Sequence, residues 1–121
     1  MDTGPVLVVE DDPDSRLMLK TWLSLMNVPV ATARNGNEGL EVARRVRPCL
    51  ILLDFMMPVM GGREFRLLQS ADPTLCDVPV VLTSAHPQAR DIAAELRMHG
   101  VIEKPVALEE VEEVIARFCH L

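Results

Sequence analysis

The sequence predicts an α/β domain of five strand–helix units around one parallel sheet, and three observations carry that reading. Short apolar runs alternate with segments of helical periodicity along the chain. The connections between them are short, which favours right-handed crossovers and helices on both faces of the sheet. A length of 121 residues, with 49% hydrophobic and 25% charged residues, suits one compact domain.

The first strand is the β-branched run Val6 to Val9. Asp12 followed by Pro13 then signals a helix start, an acidic cap before a proline at the first helical position, where its missing N–H costs nothing. Leu17, Met18, Trp22, Leu25 and Met26 follow at helical spacing within Ser15 to Met26. Val28 to Ala33 reads as a second strand, Asn35-Gly36 as punctuation, and Glu38 to Val46 as a second helix with Leu40, Val42, Ala43 and Val46 inward before Pro48 stops it.

Cys49 to Leu53 is a continuous apolar run, the mark of a central strand buried on both faces. Phe55 to Gly62 holds Pro58, Gly61 and Gly62 and reads as a loop, followed by a helix near Arg63 to Gln69 and turns at Asp72-Pro73 and Asp77. Pro79 to Leu82 opens the fourth strand and Ala89 to Met98 is the fourth helix. Val101-Ile102 is a short fifth strand. Leu108, Val111, Val114, Ile115 and Phe118 form one apolar face of a fifth helix over Leu108 to Phe118. The pattern is that of a flavodoxin-like (βα)5 doubly wound sheet of five parallel strands. No linker or low-complexity tract interrupts it, so residues 1–121 are expected to form a single domain with no effector domain attached.

Composition narrows the function. Only 3% of residues are aromatic, which argues against nucleic-acid binding by base stacking. A formal net charge of −6 opposes a phosphate-backbone partner and favours a protein or a cation. No apolar stretch approaches the roughly 20 residues of a membrane helix, so no membrane insertion is expected. Cys49, Cys76 and Cys119 are odd in number, show no close pairing and follow no secretory leader, so a reducing cytoplasm and thiols acting as small hydrophobes are expected. The lack of a Cys-x-x-Cys pair and the wide spacing of the three His argue against zinc.

The chemistry gathers where the strands end. Glu10-Asp11-Asp12 follows the first apolar run, Asp54 the third, Ser84 the fourth and Lys104 the fifth. In an open parallel sheet the carboxyl ends of the strands share one edge, the usual place for ligands. Taken singly, Asp12 is a helix cap and Glu10 a solvated strand end. Taken together, Glu10, Asp11 and Asp54 repel one another and suit a hard cation, magnesium or manganese, with oxygen ligands.

Asp54 follows four buried aliphatics and needs compensation. Either it attacks phosphorus to form an aspartyl phosphate, with Lys104 offsetting charge, or it forms a structural ion pair with Lys104. Ser84 and Thr83 compete as hydroxyl donors to a phosphoryl oxygen, and strand alternation allows only one of them to face the pocket. Lys104-Pro105 leaves a cis or a trans junction open.

The blocks VLVVEDDPDSR, LILLDFMMPVMGG, VPVVLTSA and VIEKP, in this order, resemble those of the bacterial two-component response-regulator receiver domain over essentially the whole chain. The resemblance implies that Asp54 is the phosphoacceptor, that Glu10 and Asp11 are the acidic pair, and that Met56 offers a backbone carbonyl to the metal. It implies that Lys104 contacts phosphate and Ser84 is the switch hydroxyl with Ala85 beside it. Pro58 and Gly62 stand where the family has them. By the same resemblance a histidine kinase or phosphotransfer protein is the donor. A downstream protein reads the face formed by the fourth helix, fifth strand and fifth helix, which would also serve a homodimer. The expected role is a phosphorylation-dependent switch or phosphorelay intermediate, not a turnover enzyme, without direct nucleic-acid contact.

The departures are informative. Val101 stands where the family usually has a rotating Tyr or Phe, so aromatic rotation cannot be the switch. Arg97-Met98-His99 replaces a usual Gly-Ala pair after the fourth helix. Met56 and His86, two residues beyond Asp54 and Ser84, flank the expected path of hydrolytic water and are expected to tune phosphoryl lifetime. Two rival readings are a binding module of the same fold that is never phosphorylated, and a metal-dependent phosphohydrolase. The second is opposed by Met56, which stands where such an enzyme needs a general acid.

Overall fold

The computed structural model describes residues 4–56 and 60–119, so Pro58 lies outside the described residues. Five strands form one parallel sheet in the order β2-β1-β3-β4-β5. They are β1 (Val6–Val9), β2 (Val30–Ala33), β3 (Leu50–Asp54), β4 (Val80–Ser84) and β5 (Gly100–Glu103), separated by α1 (Pro13–Leu25), α2 (Gly36–Val46), α3 (Gly62–Ala71) and α4 (Ala89–Glu95) and followed by α5 (Leu108–Phe118). This is the doubly wound, flavodoxin-like architecture read from the sequence.

Strand alternation divides the core. Val6, Val8, Leu50, Leu52, Val81 and Ile102 meet Leu19 and Leu23 of α1 and Val111 and Ile115 of α5. Leu7, Val9, Ile51, Leu53 and Val80 meet Leu40 and Ala43 of α2 and Phe65 of α3, while Leu82 meets Ala89 and Ala93 of α4. The central strand β3 is buried along its whole length, as its continuous apolar run requires.

Local chemistry sets the helix ends. The Asp12 carboxylate caps α1 by accepting from the Ser15 N–H at 3.0 Å, with Pro13 at the first helical position. Asn35 caps α2 in the same way through the Glu38 N–H at 2.9 Å. Helix α1 stops at Asn27, whose φ of 60° turns the chain into the left-handed region, and the Val28 N–H donates back to the Leu23 carbonyl.

Several sequence expectations are corrected. In α1 the buried positions are Leu19 and Leu23, whereas Leu17 and Leu25 are 62% and 77% exposed. Met18, Trp22 and Met26 do pack, partly buried, against the core around Leu19 and Leu23, so the spacing finds the flank of the buried stripe and misses its centre. Leu108 is likewise exposed at the start of α5. Strand β2 begins at Val30, after Pro29. Helix α4 ends at Glu95, three residues early, because Arg97 takes a left-handed φ of 54° and the Met98 N–H returns to the Ala93 carbonyl.

The largest correction concerns cysteine. Cys49 and Cys119, separated by 70 residues in sequence, form a buried disulfide with Cα atoms 5.4 Å apart, and only Cys76 is free and exposed. The two sulfurs meet because the start of β3 and the end of α5 lie together at the amino edge of the sheet, a proximity that sequence spacing does not show. Among the described residues no helix is long and apolar enough to cross a membrane.

Candidate functional site at the carboxyl edge

Strands β1 and β3 are adjacent and in register, Val9 beside Leu53, so the residues that follow them emerge together. Glu10, Asp11 and Asp54 each place a carboxylate oxygen within 4.8 Å of the others. Glu10 and Asp54 are buried, at 2% and 4% exposure, while Asp11 is half-buried. Lys104, after β5, reaches across the edge, with Nζ 3.2 Å from Glu10 Oε2 and 3.3 Å from Asp54 Oδ1. The Lys104–Pro105 peptide bond is cis.

One lysine does not neutralise three acids. Burial first, then the neighbouring Glu10 and Asp11 carboxylates, push the Asp54 carboxyl up to about 7 from 3.8 despite the opposing Lys104 charge. Burial disfavours the Lys104 ammonium, yet Asp54 and Glu10 outweigh it and raise its pKa. The edge therefore holds an excess of negative charge on oxygen donors, with solvent access through Asp11. That donor set fits a hard divalent cation of the magnesium or manganese kind, which takes carboxylate oxygens and retains waters.

Two further groups frame the site. Ser84 Oγ accepts from the His86 N–H at 3.0 Å, which leaves its own hydroxyl proton free to be directed elsewhere. Ser84, His86, Arg90, Glu103 and Lys104 line a cavity of about 350 Å³, and Thr83 is not among its lining residues. His86 Nδ1 accepts from the Gln88 N–H, so the remaining ring proton sits on Nε2, and the ring stands edge-on to Phe55. Beyond Asp54, Met56 is 65% exposed in the loop that leaves β3. Gly62 closes that loop by donating its N–H to the Phe55 carbonyl at 3.0 Å. A Cβ at Gly62 would lie 3.1 Å from the Phe55 Cα, too close for backbone that cannot yield.

Asp12 is not part of the cluster. Its carboxylate serves Ser15, whose hydrogen bonds hold it below the usual carboxylate range. Arg16, one turn into α1, is the neighbour that motif reading passes over: its Nη1 donates to the Glu10 carbonyl at 2.9 Å and the Asp11 carbonyl at 3.4 Å. A cation five residues after an acidic pair was the available signal, but nothing in the sequence shows that it turns back onto the backbone.

Comparison with known proteins agrees with this geometry. Residues 6–116 match the family described as the response regulator receiver domain. The chain is 39% identical over 118 residues to the transcriptional regulatory protein PrrA of Mycobacterium bovis, covering 92% of this chain and 49% of that protein. It spans about half the length of the transcriptional-regulator relatives it matches. Among solved structures it is similar to the chemotaxis protein CheY4 of Vibrio cholerae, with a TM-score of 0.87, 26% identity and coverage of 95% of this chain and 98% of that one. It is also similar to the signal receiver domain of a signal transduction histidine kinase from Syntrophus aciditrophicus, with a TM-score of 0.85, 29% identity and coverage of 95% and 89%. With the acidic cluster, the lysine and the sheet order agreeing with a match over most of its length, the chain belongs to the response regulator receiver domain family of two-component signalling.

Proposed function

We propose that this chain accepts a phosphoryl group on Asp54 and, so modified, changes its affinity for a protein partner. The observation that carries the reading is the buried Asp54 carboxylate at the end of the central strand, bounded by Glu10 and Asp11 within 4.8 Å and touched by Lys104 at 3.3 Å. In the transfer, an Asp54 oxygen forms a P–O bond as the P–N bond of a donor phosphohistidine breaks, and the bonding pair returns to the imidazole nitrogen. The donor is a histidine kinase or a phosphotransfer protein.

Each residue has a task in that step. The Asp54 carboxylate is the nucleophile, and the raised pKa of its metal-free form marks the cost of holding it charged. The Lys104 ammonium, already shared between Glu10 and Asp54, turns toward the added phosphoryl oxygens. The Ser84 hydroxyl, with one lone pair engaged by the His86 N–H, donates its proton to a phosphoryl oxygen. Glu10, Asp11, Asp54 and the Met56 carbonyl would hold magnesium or manganese. A bound divalent ion there supplies charge neutralisation for the carboxylates and the transferring phosphoryl oxygens.

The site transfers a group to itself and has no acid two residues beyond Asp54, so signalling and not turnover is its function. His86 and Met56 border the approach of water to the acyl phosphate and set its lifetime. The partner-binding face comprises α4, β5 and α5, where Val101 replaces an aromatic switch, and the same face serves self-association. The expected compartment is the cytoplasm, where such kinases present their phosphohistidine.

Intact mass after incubation with magnesium and a small acyl phosphate tests the reading. A single phosphoryl adduct, lost in Asp54→Ala and on chelation, is expected. No adduct, even with a cognate kinase, overturns it in favour of a binding module that is never phosphorylated, the reading that Val101 favours.

A further inference from the structure

Arg16 closes the first sequence block without a role assigned to it, and its side chain donates to two backbone carbonyls of the acidic loop. The chain leaves β1 at Val9, and Glu10 still pairs with the sheet through its N–H to the Ala33 carbonyl at 3.0 Å. After that residue the loop has lost its strand neighbours, and α1 begins only at Pro13. The carbonyls of Glu10 and Asp11 fall in this gap, where neither ladder nor helix supplies a donor. One guanidinium nitrogen of Arg16 serves both, at 2.9 Å and 3.4 Å.

We infer that Arg16 is a positioning residue for the divalent cation: it sets the direction in which Glu10 and Asp11 present their carboxylates, without touching a carboxylate itself. The remaining contacts of the loop show why this matters. Glu10 is steered by Lys104 and by the Asp12 N–H at 3.3 Å. Asp11, half-buried, is steered by its backbone, whose carbonyl Arg16 holds at 3.4 Å. The Arg16 N–H also donates to the Asp12 carbonyl at 2.9 Å, so the helix that Asp12 caps delivers the guanidinium to the loop. Groups that orient ligands in this indirect way are commonly worth 10- to 100-fold in metal affinity.

Charge and geometry make opposite predictions here. A guanidinium near three carboxylates repels an incoming cation, so if Arg16 acted only through its charge, its removal would strengthen magnesium binding. If it acts by holding the loop, removal weakens binding. Both carbonyls are served by the single nitrogen Nη1, so the guanidinium's advantage over an ammonium is its reach and stiffness, and Arg16→Lys keeps the charge and loses part of the hold.

The inference rests on the proposed function only in that the acidic cluster binds a cation. The test is calorimetric titration of the whole chain with magnesium chloride, for wild type, Arg16→Ala, Arg16→Lys and Asp54→Ala, with thermal melts to establish that each is folded. The expected result is a Kd raised about tenfold in Arg16→Ala and by a smaller factor in Arg16→Lys, with phosphorylation by acyl phosphate recovering at high magnesium. Unchanged or tighter binding in Arg16→Ala overturns the inference while leaving the phosphoacceptor reading intact. Wild-type affinity in Arg16→Lys beside weakened binding in Arg16→Ala supports the hold, with one donor nitrogen sufficient for it. Absence of binding by the wild type overturns both.

Discussion

The carboxyl edge of the sheet and its amino edge both bury polar groups, and they treat them in opposite ways. At the amino edge every such group is paired. Arg66 of α3 donates to the Leu96 carbonyl at 2.9 Å, to the Arg97 carbonyl at 2.6 Å and to Gln69. Gln69, fully buried, donates to the Leu75 and Val78 carbonyls, and the His99 Nδ1 accepts from the Val80 N–H at 3.1 Å. Among the described residues no buried side-chain nitrogen or oxygen lacks a partner. The Cys49–Cys119 bond closes the same edge covalently. At the carboxyl edge Lys104 touches Glu10 and Asp54, but one ammonium stands against three carboxylates and the charge does not balance. The amino edge is satisfied by its own hydrogen bonds, whereas the carboxyl edge keeps an excess of negative charge on oxygen donors that suits a cation.

This contrast can be broken most forcefully at the disulfide. Cross-linking residues 70 apart restricts the unfolded chain, so reduction or Cys119→Ser should cost about 4 kcal/mol, read from urea midpoints with and without reductant. An unchanged midpoint would remove the covalent half of the comparison. Alkylation of the native oxidised protein should meanwhile label Cys76 alone.

Arg66→Ala comes next. It strips the donor from two backbone carbonyls and from Gln69, with an expected loss of about 3 kcal/mol and no change in the rate at which Asp54 is labelled. A labelling defect equal to the stability defect would show the two edges to be coupled.

The pH response of the metal-free protein sharpens the other side. The Asp54 carboxyl titrates near 7 in the folded chain and near 3.8 when unfolded. The folded state therefore holds more protons between those values, so stability falls as pH rises from 4 through 7. The expected fall is on the order of 2 kcal/mol, abolished by Asp54→Asn and reduced by magnesium. A metal-free stability that is flat over this interval would mean that the carboxyl edge is already balanced. The smallest effect is expected for Asp12→Ala, which removes the α1 cap and lowers Tm by a few degrees while leaving magnesium affinity as it was. A large loss of affinity would place Asp12 among the ligands.

Much of the site is legible in the chain because it follows from where strands end. Glu10 and Asp54 sit one step past an apolar run and Asp11, Ser84 and Lys104 two steps past one, and parallel strands must deliver such residues to one edge. The choice of Ser84 over Thr83 in the cavity beside Lys104 follows from alternation once Val81 and Leu82 are assigned to opposite faces. What could not be read was of a different kind. Leu17 and Leu19 are equally apolar, and only the packing of α1 on the sheet decides that Leu19 is buried. Arg97 carries no sign of a left-handed conformation, yet it ends α4 there, with its carbonyl held by Arg66 from another helix.

Periodicity and residue type at the strand ends are enough to read the fold class, the order of the elements and the chemistry collected at one edge, because these depend on local pattern alone. The tertiary structure decided the Cys49–Cys119 bond, the Arg66 and Gln69 network and the return of Arg16 onto the Glu10 and Asp11 carbonyls. Each of these joins atoms brought together by the way the elements pack or the way a side chain folds back, and neither spacing nor composition records that geometry.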